Sequence, residues 1–382
     1  MTFGPASLFA AAGAVLFIVL ALLTMLQPGR NRLRRALFAV FLVLFSLPLA
    51  NIVIADSGLA LIEPRLLFIG NTLGLAAAPV LYLFARSLAV AGFALRPAAV
   101  LHFLPLLIIA GLVAWQFHLQ PEAVRIAVAT GQASGSWLDA PGFVLVIFAY
   151  PLVYLSLTLL LAWRYEKGAQ ATRSASDGRE LRWLAVSLTG LFGSAVLSLA
   201  HYAVVHIWPV AGLSWLLMAL LMAGSLALGV YFILSAFRSL DTAVPLDSGA
   251  LSPEKYGEHR LEDAQLTELT AALEAHMAAV RPHLEPELTL EALARELPMT
   301  GRELSQVINR AHGLSFYEFV ARWRVREAKD RLREDPGLSI TMAMHDSGFS
   351  SKSSFAKAFR RETGLTPSAW RAERSHTRPR TT

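Results

Sequence analysis

The 382-residue chain has no cysteine, which excludes disulfides, thiol redox sensing and cysteine-ligated zinc. It is also poor in charge. Asp, Glu, Lys and Arg make up 16% of it, against about 25% in soluble domains, while 55% is hydrophobic. Common catalytic signatures are missing as well: there is no H-E-x-x-H helix, no G-x-S-x-G nucleophile turn and no G-x-x-x-x-G-K-[ST] phosphate loop. These absences disfavour an enzyme and favour a membrane class.

The charge deficit lies at one end. Residues 1–237 hold 13 Lys and Arg with 7 Asp and Glu, whereas residues 238–382 hold 21 of each. The change places a domain boundary at about Phe237. Beyond it, residues 238–300 balance at −7 and residues 301–382 at +7. A basic end of this kind is either a set of solvated helix faces or a nucleic-acid surface, and charge alone does not choose.

What the first 237 residues do have is long apolar runs. Seven stand out, at 5–26, 36–55, 66–85, 99–119, 143–163, 183–205 and 213–237, and none contains Asp, Glu, Lys or Arg. Each reaches the ~20 residues that cross a bilayer core as a helix. The first lacks a basic n-region and is too long for a signal-peptide core, so it reads as a retained span. The loops on one side carry 11 Lys and Arg (Arg30, Arg32, Arg34 and Arg35 in the first, Arg86 and Arg96 in the second, five between 164 and 182 in the third); those on the other carry only Arg65 and Arg125. The positive-inside bias then predicts an outside N-terminus and a cytoplasmic C-terminus, in a multi-pass protein of the bacterial inner membrane. Trp115, Trp137, Trp208 and Trp215 fall near the outer interface.

Polar residues inside the spans, Asn51, Asn71, His118, Tyr150, Tyr154, His201, Tyr202 and His206, are candidates for a sensing cavity for a small-molecule or membrane signal. A metal reading of the histidines is set aside, because interhelical hydrogen bonds explain them and five residues is poor ligand spacing on one helix. No metal and no cofactor are expected. Gly70 and Gly74 form a small-xxx-small pair, read as packing within the bundle.

After the boundary, residues 238–262 mix Pro, Gly, Ser and charge and read as a linker. A helix is predicted over 263–281, with Leu266, Leu269, Leu273, Met277 and Val280 on one face. Next, Leu290, Leu293, Ala294 and Leu297 recur at helical spacing, Pro298-Met299-Thr300 breaks the pattern, and Leu304, Val307, Ile308 and Ala311 restart it. Thr300 with Glu303 is a capping box, and Gly313 closes the second helix. Two short amphipathic helices joined by three residues fit a helix-turn-helix. The pattern returns at Ile340, Ala343 and Met344, turns at Gly348, and resumes at Phe355, Ala358 and Phe359, with Ser351 as a possible cap. Between the two lies a helix over 316–334, apolar on one side at Phe316, Phe319, Val320 and Trp323 and nearly opposite at Val325, Ala328 and Leu332. It would be buried by one unit on each side. Its 19 residues span ~28 Å, which approaches the ~34 Å between successive major grooves on one face of DNA.

These residues resemble the DNA-binding domain of the AraC/XylS family of transcription regulators. The likeness rests on "LEALARELPMTGRELSQVI", "RVREAKDRL" and "GFSSKSSFAKAFRRETGLTPSAW", the last with Gly348, Phe349, Ser353, Phe355, Phe359, Gly364, Thr366 and Pro367 at family positions. The segment "APVLYLFARSL…LRPAAVLHFLP" is similar to members with a multi-span membrane domain. Three departures stand out: Ala343-Met344 for Ile-Ala, Arg331 for leucine, and Ser347 for an apolar residue.

The resemblance implies that outward residues of two recognition helices enter the major groove: Arg302, Ser305, Gln306 and Arg310 in the first, Lys352, Ser353, Ser354 and Lys357 in the second. Arg or Lys suits guanine and Gln suits adenine. Arg360 and Arg361 are expected on phosphates, which position without specifying. It also implies double-stranded DNA, a homodimer on that DNA and RNA polymerase as partners, beside the lipid bilayer.

The expectation is thus an all-α chain: a seven-helix transmembrane bundle (1–237), a linker (238–262), a cytoplasmic all-α domain with two helix-turn-helix units joined by a linker helix (263–372), and a disordered tail (373–382). It is read as a membrane-bound, sequence-specific transcription regulator, an activator in type. A transporter or anchor with an appended regulatory domain is the alternative, although no span carries the charge expected of an ion-coupled carrier.

Overall fold

The structure, a computed structural model, describes residues 4–26, 31–130, 132, 141–174, 181–208, 210, 212–239, 245–246, 261–335 and 337–376. Most of the linker read at 238–262 and the end of the tail read at 373–382 lie outside them, as do Arg30, Trp137 and Arg179. The described residues are helical and hold no strand; an isolated antiparallel bridge pairs Arg173 with Thr289. They fall into two compact units: residues 1–163 with 181–245, and residues 164–180 with 246–382.

The N-terminal unit holds α1 (Pro5–Leu26), α2 (Arg32–Asp56), α3 (Leu59–Ile62), α4 (Ile69–Gly74), α5 (Ala77–Ala89), α6 (Leu104–Val113), α7 (Glu122–Ala129), most of α8 (Pro141–Thr172), α9 (Arg182–His206) and α10 (Leu213–Ser239). Among the described residues, seven segments are long and apolar enough to cross a membrane, matching the seven runs of the sequence to within a few residues at most ends. They differ in continuity. The third, Pro64–Ala89, is split into a 3-10 turn, α4 and α5, with Leu67 extended and Phe68 at φ +67°. The fourth runs from a 3-10 stretch (Pro97–Phe103) through α6 into a π-helical turn (Ala114–His118).

Gly70 and Gly74 allow α4 to lie directly on α2. A Cβ at Gly74 would stand 2.5 Å from the Pro48 ring, and one at Gly70 would overlap the Leu47 carbonyl oxygen. The expected role in packing within the bundle fits this. Tyr150 and Tyr154 of α8 both donate their hydroxyls to the His102 carbonyl, at 3.1 and 2.9 Å. They serve as an interhelical clasp, the cheapest use of a phenol in an apolar interior.

The C-terminal unit holds α11 (Asp263–Ala279), α12 (Leu290–Arg295), α13 (Gly301–His312), α14 (Phe316–Glu334), α15 (Ile340–Asp346), α16 (Lys352–Thr363) and α17 (Pro367–His376). It has two cores. Leu269, Leu273 and Met277 of α11 join Leu290, Leu293, Leu304, Val307, Ile308, Phe316, Phe319 and Val320 in the first; Val325, Ala328, Leu332, Ala343, Met344, Phe355, Phe359 and Trp370 form the second. So α14 does serve both, with its two apolar halves on opposite sides, as the pattern predicts. Two residues assigned to apolar faces lie outside them: Val280, past the end of α11, is 58% exposed, and Ala311 is exposed on α13.

Candidate nucleic-acid interface

Each of the two helices expected to enter the major groove, α13 and α16, is built by local signals. Thr300 accepts from the Glu303 amide, and the Glu303 carboxylate accepts from the Thr300 amide and hydroxyl. These two bonds from Thr300 hold the Glu303 carboxyl below its ordinary value, so the first turn of α13 carries a fixed negative charge. At the second helix Ser351 accepts from the Ser354 amide at 3.2 Å. The C-termini of α13 and α16 end on Gly313 (φ +66°) and Gly364 (φ +77°), both left-handed. The turn between α15 and α16 requires glycine: Gly348 has φ +85°, and a Cβ there would lie 2.5 Å from the His283 carbonyl oxygen.

Arg324 of α14 holds the unit together from inside. It is 1% exposed. Its Nε donates to the His283 carbonyl at 2.7 Å, Nη1 to the Ser174 carbonyl at 3.0 Å, and Nη2 to Ser174 Oγ and the Glu285 and Pro286 carbonyls. Burial lowers its pKa to about 10, still well above neutrality, so the fork stays charged. Ser174 in turn gives its amide and hydroxyl to the Leu288 carbonyl, 3.1 and 2.7 Å away. Composition and periodicity do not reveal this residue, because an arginine in a mostly polar helix looks like surface.

The family departures are accommodated. Ser347 is fully buried, but its hydroxyl donates to the Met344 carbonyl at 2.9 Å. Arg331 pairs with Glu327 at 2.8 Å and with Asp346 of α15 at 3.5 Å, so an ion pair spans where a leucine would pack. Ala343 and Met344 both sit in the second core.

The ten candidate DNA residues do not share one environment. Arg302, Lys352, Ser353, Lys357, Arg360 and Arg361 are exposed. Ser354 is half-buried within the Ser351 cap, its Oγ 2.9 Å from Ser351 Oγ. Arg361 also pairs with Glu318 of α14 at 2.8 Å, a bond between helices. Burial pushes the Glu318 carboxyl up, but bonds from Ser315 and the charges of Arg361 and Lys357 outweigh it and hold it low.

Three residues of α13 differ from the outward placement expected of them. Ser305 and Gln306 are each only 5% exposed. Gln306 Oε1 accepts from the Leu261 amide at 3.3 Å, and Arg310 donates to the Leu261 carbonyl at 2.6 Å and to Asp263 Oδ1 at 2.8 Å. The chain entering α11 therefore lies over this side of the first recognition helix. Sequence spacing cannot show a cover that comes from about 45 residues away. Asn309, passed over in the sequence, is exposed one turn beyond Ser305 and Gln306, on the stripe that Arg302 begins.

The helix-turn-helix domain family matches residues 293–373. Among curated proteins, the chain is similar to the HTH-type transcriptional activators RhaR of Salmonella dublin and Salmonella schwarzengrund, each 27% identical over 117 residues. That stretch is 31% of this chain and 41% of each relative, so the chain matches about two fifths of their length. No solved structure matches the chain significantly. Two helix-turn-helix units on a shared α14 agree with the match of residues 293–373 to the helix-turn-helix domain, and these matches support the likeness to the AraC family.

Proposed function

We propose that the protein is a membrane-bound, sequence-specific transcription regulator of the bacterial inner membrane, with residues 1–237 sensing a signal and the domain at 263–372 binding promoter DNA. The observation that carries this reading is the pair of glycine-terminated, N-capped helices, α13 and α16, flanking the doubly buried α14 and bearing Arg302, Lys352, Ser353, Lys357 and Arg360 on exposed surface. The net +7 of residues 301–382 supplies the counterion-releasing charge that binding needs. Arg302, Asn309, Lys352, Ser353 and Lys357 are the proposed base readers, with Ser305, Gln306 and Arg310 joining once uncovered. Ser354 belongs to the cap and the groove edge, and Arg360 and Arg361 to the phosphates.

Seven apolar helices in one chain with this domain, and the 11-to-2 bias of Lys and Arg between alternate loops, support a multi-pass protein with an outside N-terminus and the DNA-binding domain in the cytoplasm. A homodimer on paired half-sites, contact with RNA polymerase and activation of transcription follow from the family likeness. The signal acts by binding two states of the helical bundle differently, which changes how the two cytoplasmic domains of a dimer are presented. A transporter or plain anchor with this domain appended is the competing reading.

The test is twofold. Terminal fusions should give an inactive alkaline phosphatase at the C-terminus. Full-length protein in nanodiscs should select a defined DNA motif, with an affinity that falls steeply with salt. A phosphatase that is active at the C-terminus, or no selected motif, rejects the reading. Solute flux in vesicles would replace it with the transporter.

A further inference from the structure

Within the N-terminal unit, three departures from helical regularity meet at one place. The third apolar segment breaks at Leu67–Phe68 and again between α4 and α5, and Phe68 holds a left-handed backbone that a bulky residue adopts only under constraint. Pro48 interrupts the hydrogen bonding of α2, and Pro151 that of α8. Phe68, Pro48 and Pro151 all line a single cavity of about 610 Å³. In a bilayer, irregular backbone is tolerated where it is covered by protein or lines a cavity, and breaks in spanning helices mark binding sites in transporters. The volume is that of a site for a small molecule.

The lining states the chemistry of the occupant. Five phenylalanines contribute to the wall, and none of the described lining residues is Asp, Glu, Lys, Arg or His. The polar side chains are neutral: Asn71 and Thr72 on α4 and Ser225 on α10. A carboxylate or an amine would enter as a charge with no counter-charge, at a heavy desolvation cost. A hydroxyl, ester or amide would find matching donors and acceptors. We infer that this cavity binds an uncharged amphiphile, an apolar chain or ring system ending in a neutral hydrogen-bonding head, with Asn71, Thr72 and Ser225 reading the head and the phenylalanines the tail. Such a molecule partitions into lipid and would reach the site from the bilayer. The inference deepens the sensing role proposed above by naming its ligand class.

The experiment uses full-length protein in nanodiscs and two photoactivatable probes of equal length, a diazirine hexadecanol and a diazirine palmitate, with labelled peptides mapped by mass spectrometry. The alcohol should label the 68–75 stretch saturably, unlabelled hexadecanol should compete, and palmitate at pH 8 should label it about tenfold less or weaker still. Thr72→Trp and Ser225→Trp, which fill the cavity from two different helices, should each abolish that labelling. An unchanged elution volume and thermal midpoint of the detergent-solubilised full-length protein show that a variant's bundle is folded. Equal labelling by both probes, or unsaturable labelling along the lipid-facing helices, would mean that a bulk acyl chain fills the space, and would overturn the site. Specific labelling without any effect of hexadecanol on DNA binding supports the site and counts only against the sensing role.

Discussion

The Leu261 backbone amide donates to the side-chain oxygen of Gln306, across 45 positions of chain and 3.3 Å of space. This contact, with the Arg310 bonds to Leu261 and Asp263, lays the entry to α11 over one side of the first recognition helix. These bonds engage the side-chain oxygen of Gln306 and the guanidinium of Arg310 within the protein. If α13 reads DNA as proposed, part of its reading surface is closed by the domain's own chain.

Loosening the cover should strengthen DNA binding. Asp263 is itself well exposed, so Asp263→Asn removes a surface ion pair worth about 1 kcal/mol or less without disturbing the core. Electrophoretic mobility shifts should show a several-fold gain in affinity for the selected operator. An unchanged or weaker affinity would show that Arg310 contacts Asp263 in the bound state too.

The two classes of DNA contact should separate by specificity. Lys352→Ala should change the preferred motif, at about 1–3 kcal/mol for the affected base pairs. Arg361→Ala should lower affinity for all sequences alike, because Arg361 joins α16 to Glu318 of α14 as well as carrying charge. Selection from a random library reads both. An altered motif in Arg361→Ala would make it a base reader.

Arg324→Lys should be far from conservative. An ammonium cannot span the fork of acceptors from Ser174, His283, Glu285 and Pro286, and the carbonyls left unpaired would cost about 3 kcal/mol or more in total. Ser174→Ala, which deletes only the Oγ contacts, should cost about 1 kcal/mol. Thermal melts of the full-length protein followed by the fluorescence of its eight tryptophans, with Trp323 next along α14 among them, check both.

The stability of the C-terminal unit should fall in mild acid. Burial lowers the His283 pKa to about 4 from its usual 6.5, against the nearby Glu327 carboxylate, which raises it; Arg281, Arg324 and Arg326 add to the lowering. The unfolded chain binds this proton below about pH 6.5 and the folded one only near pH 4, so stability is complete above 6.5 and is lost as pH falls through that window. The effect is at most about 3 kcal/mol. Melts of the wild type and His283→Gln between pH 7 and 5 check it: the wild-type midpoint should drop more steeply.

Much of the C-terminal domain could be read from short-range signals. The capping box at Thr300 and Glu303, the glycine ends at 313 and 364, the turn at Gly348 and the two-sided apolar pattern of residues 316–334 each depend on neighbours within one or two helical turns. Their outcome follows from backbone sterics and periodicity. The seven apolar runs are similar, because length and hydropathy are sums over adjacent residues.

What tertiary structure alone decided are relations between distant residues. Arg324 sits in a helix as polar as its neighbours, and only the convergence of Ser174, His283, Glu285 and Pro286 makes it the buried centre of the unit. Gln306 and Ser305 have outward spacing by every local rule, yet both are buried, Gln306 against the chain at Leu261. The third apolar run gives no sign of its breaks, since hydropathy averages over them; they arise where Gly70 and Gly74 bring α4 onto α2 at Pro48 and a cavity opens beside it. Sequence determined which faces must be buried and where helices start and stop, because those depend on local geometry. The partner that buries each face is a choice among long-range contacts, and only the folded chain makes it.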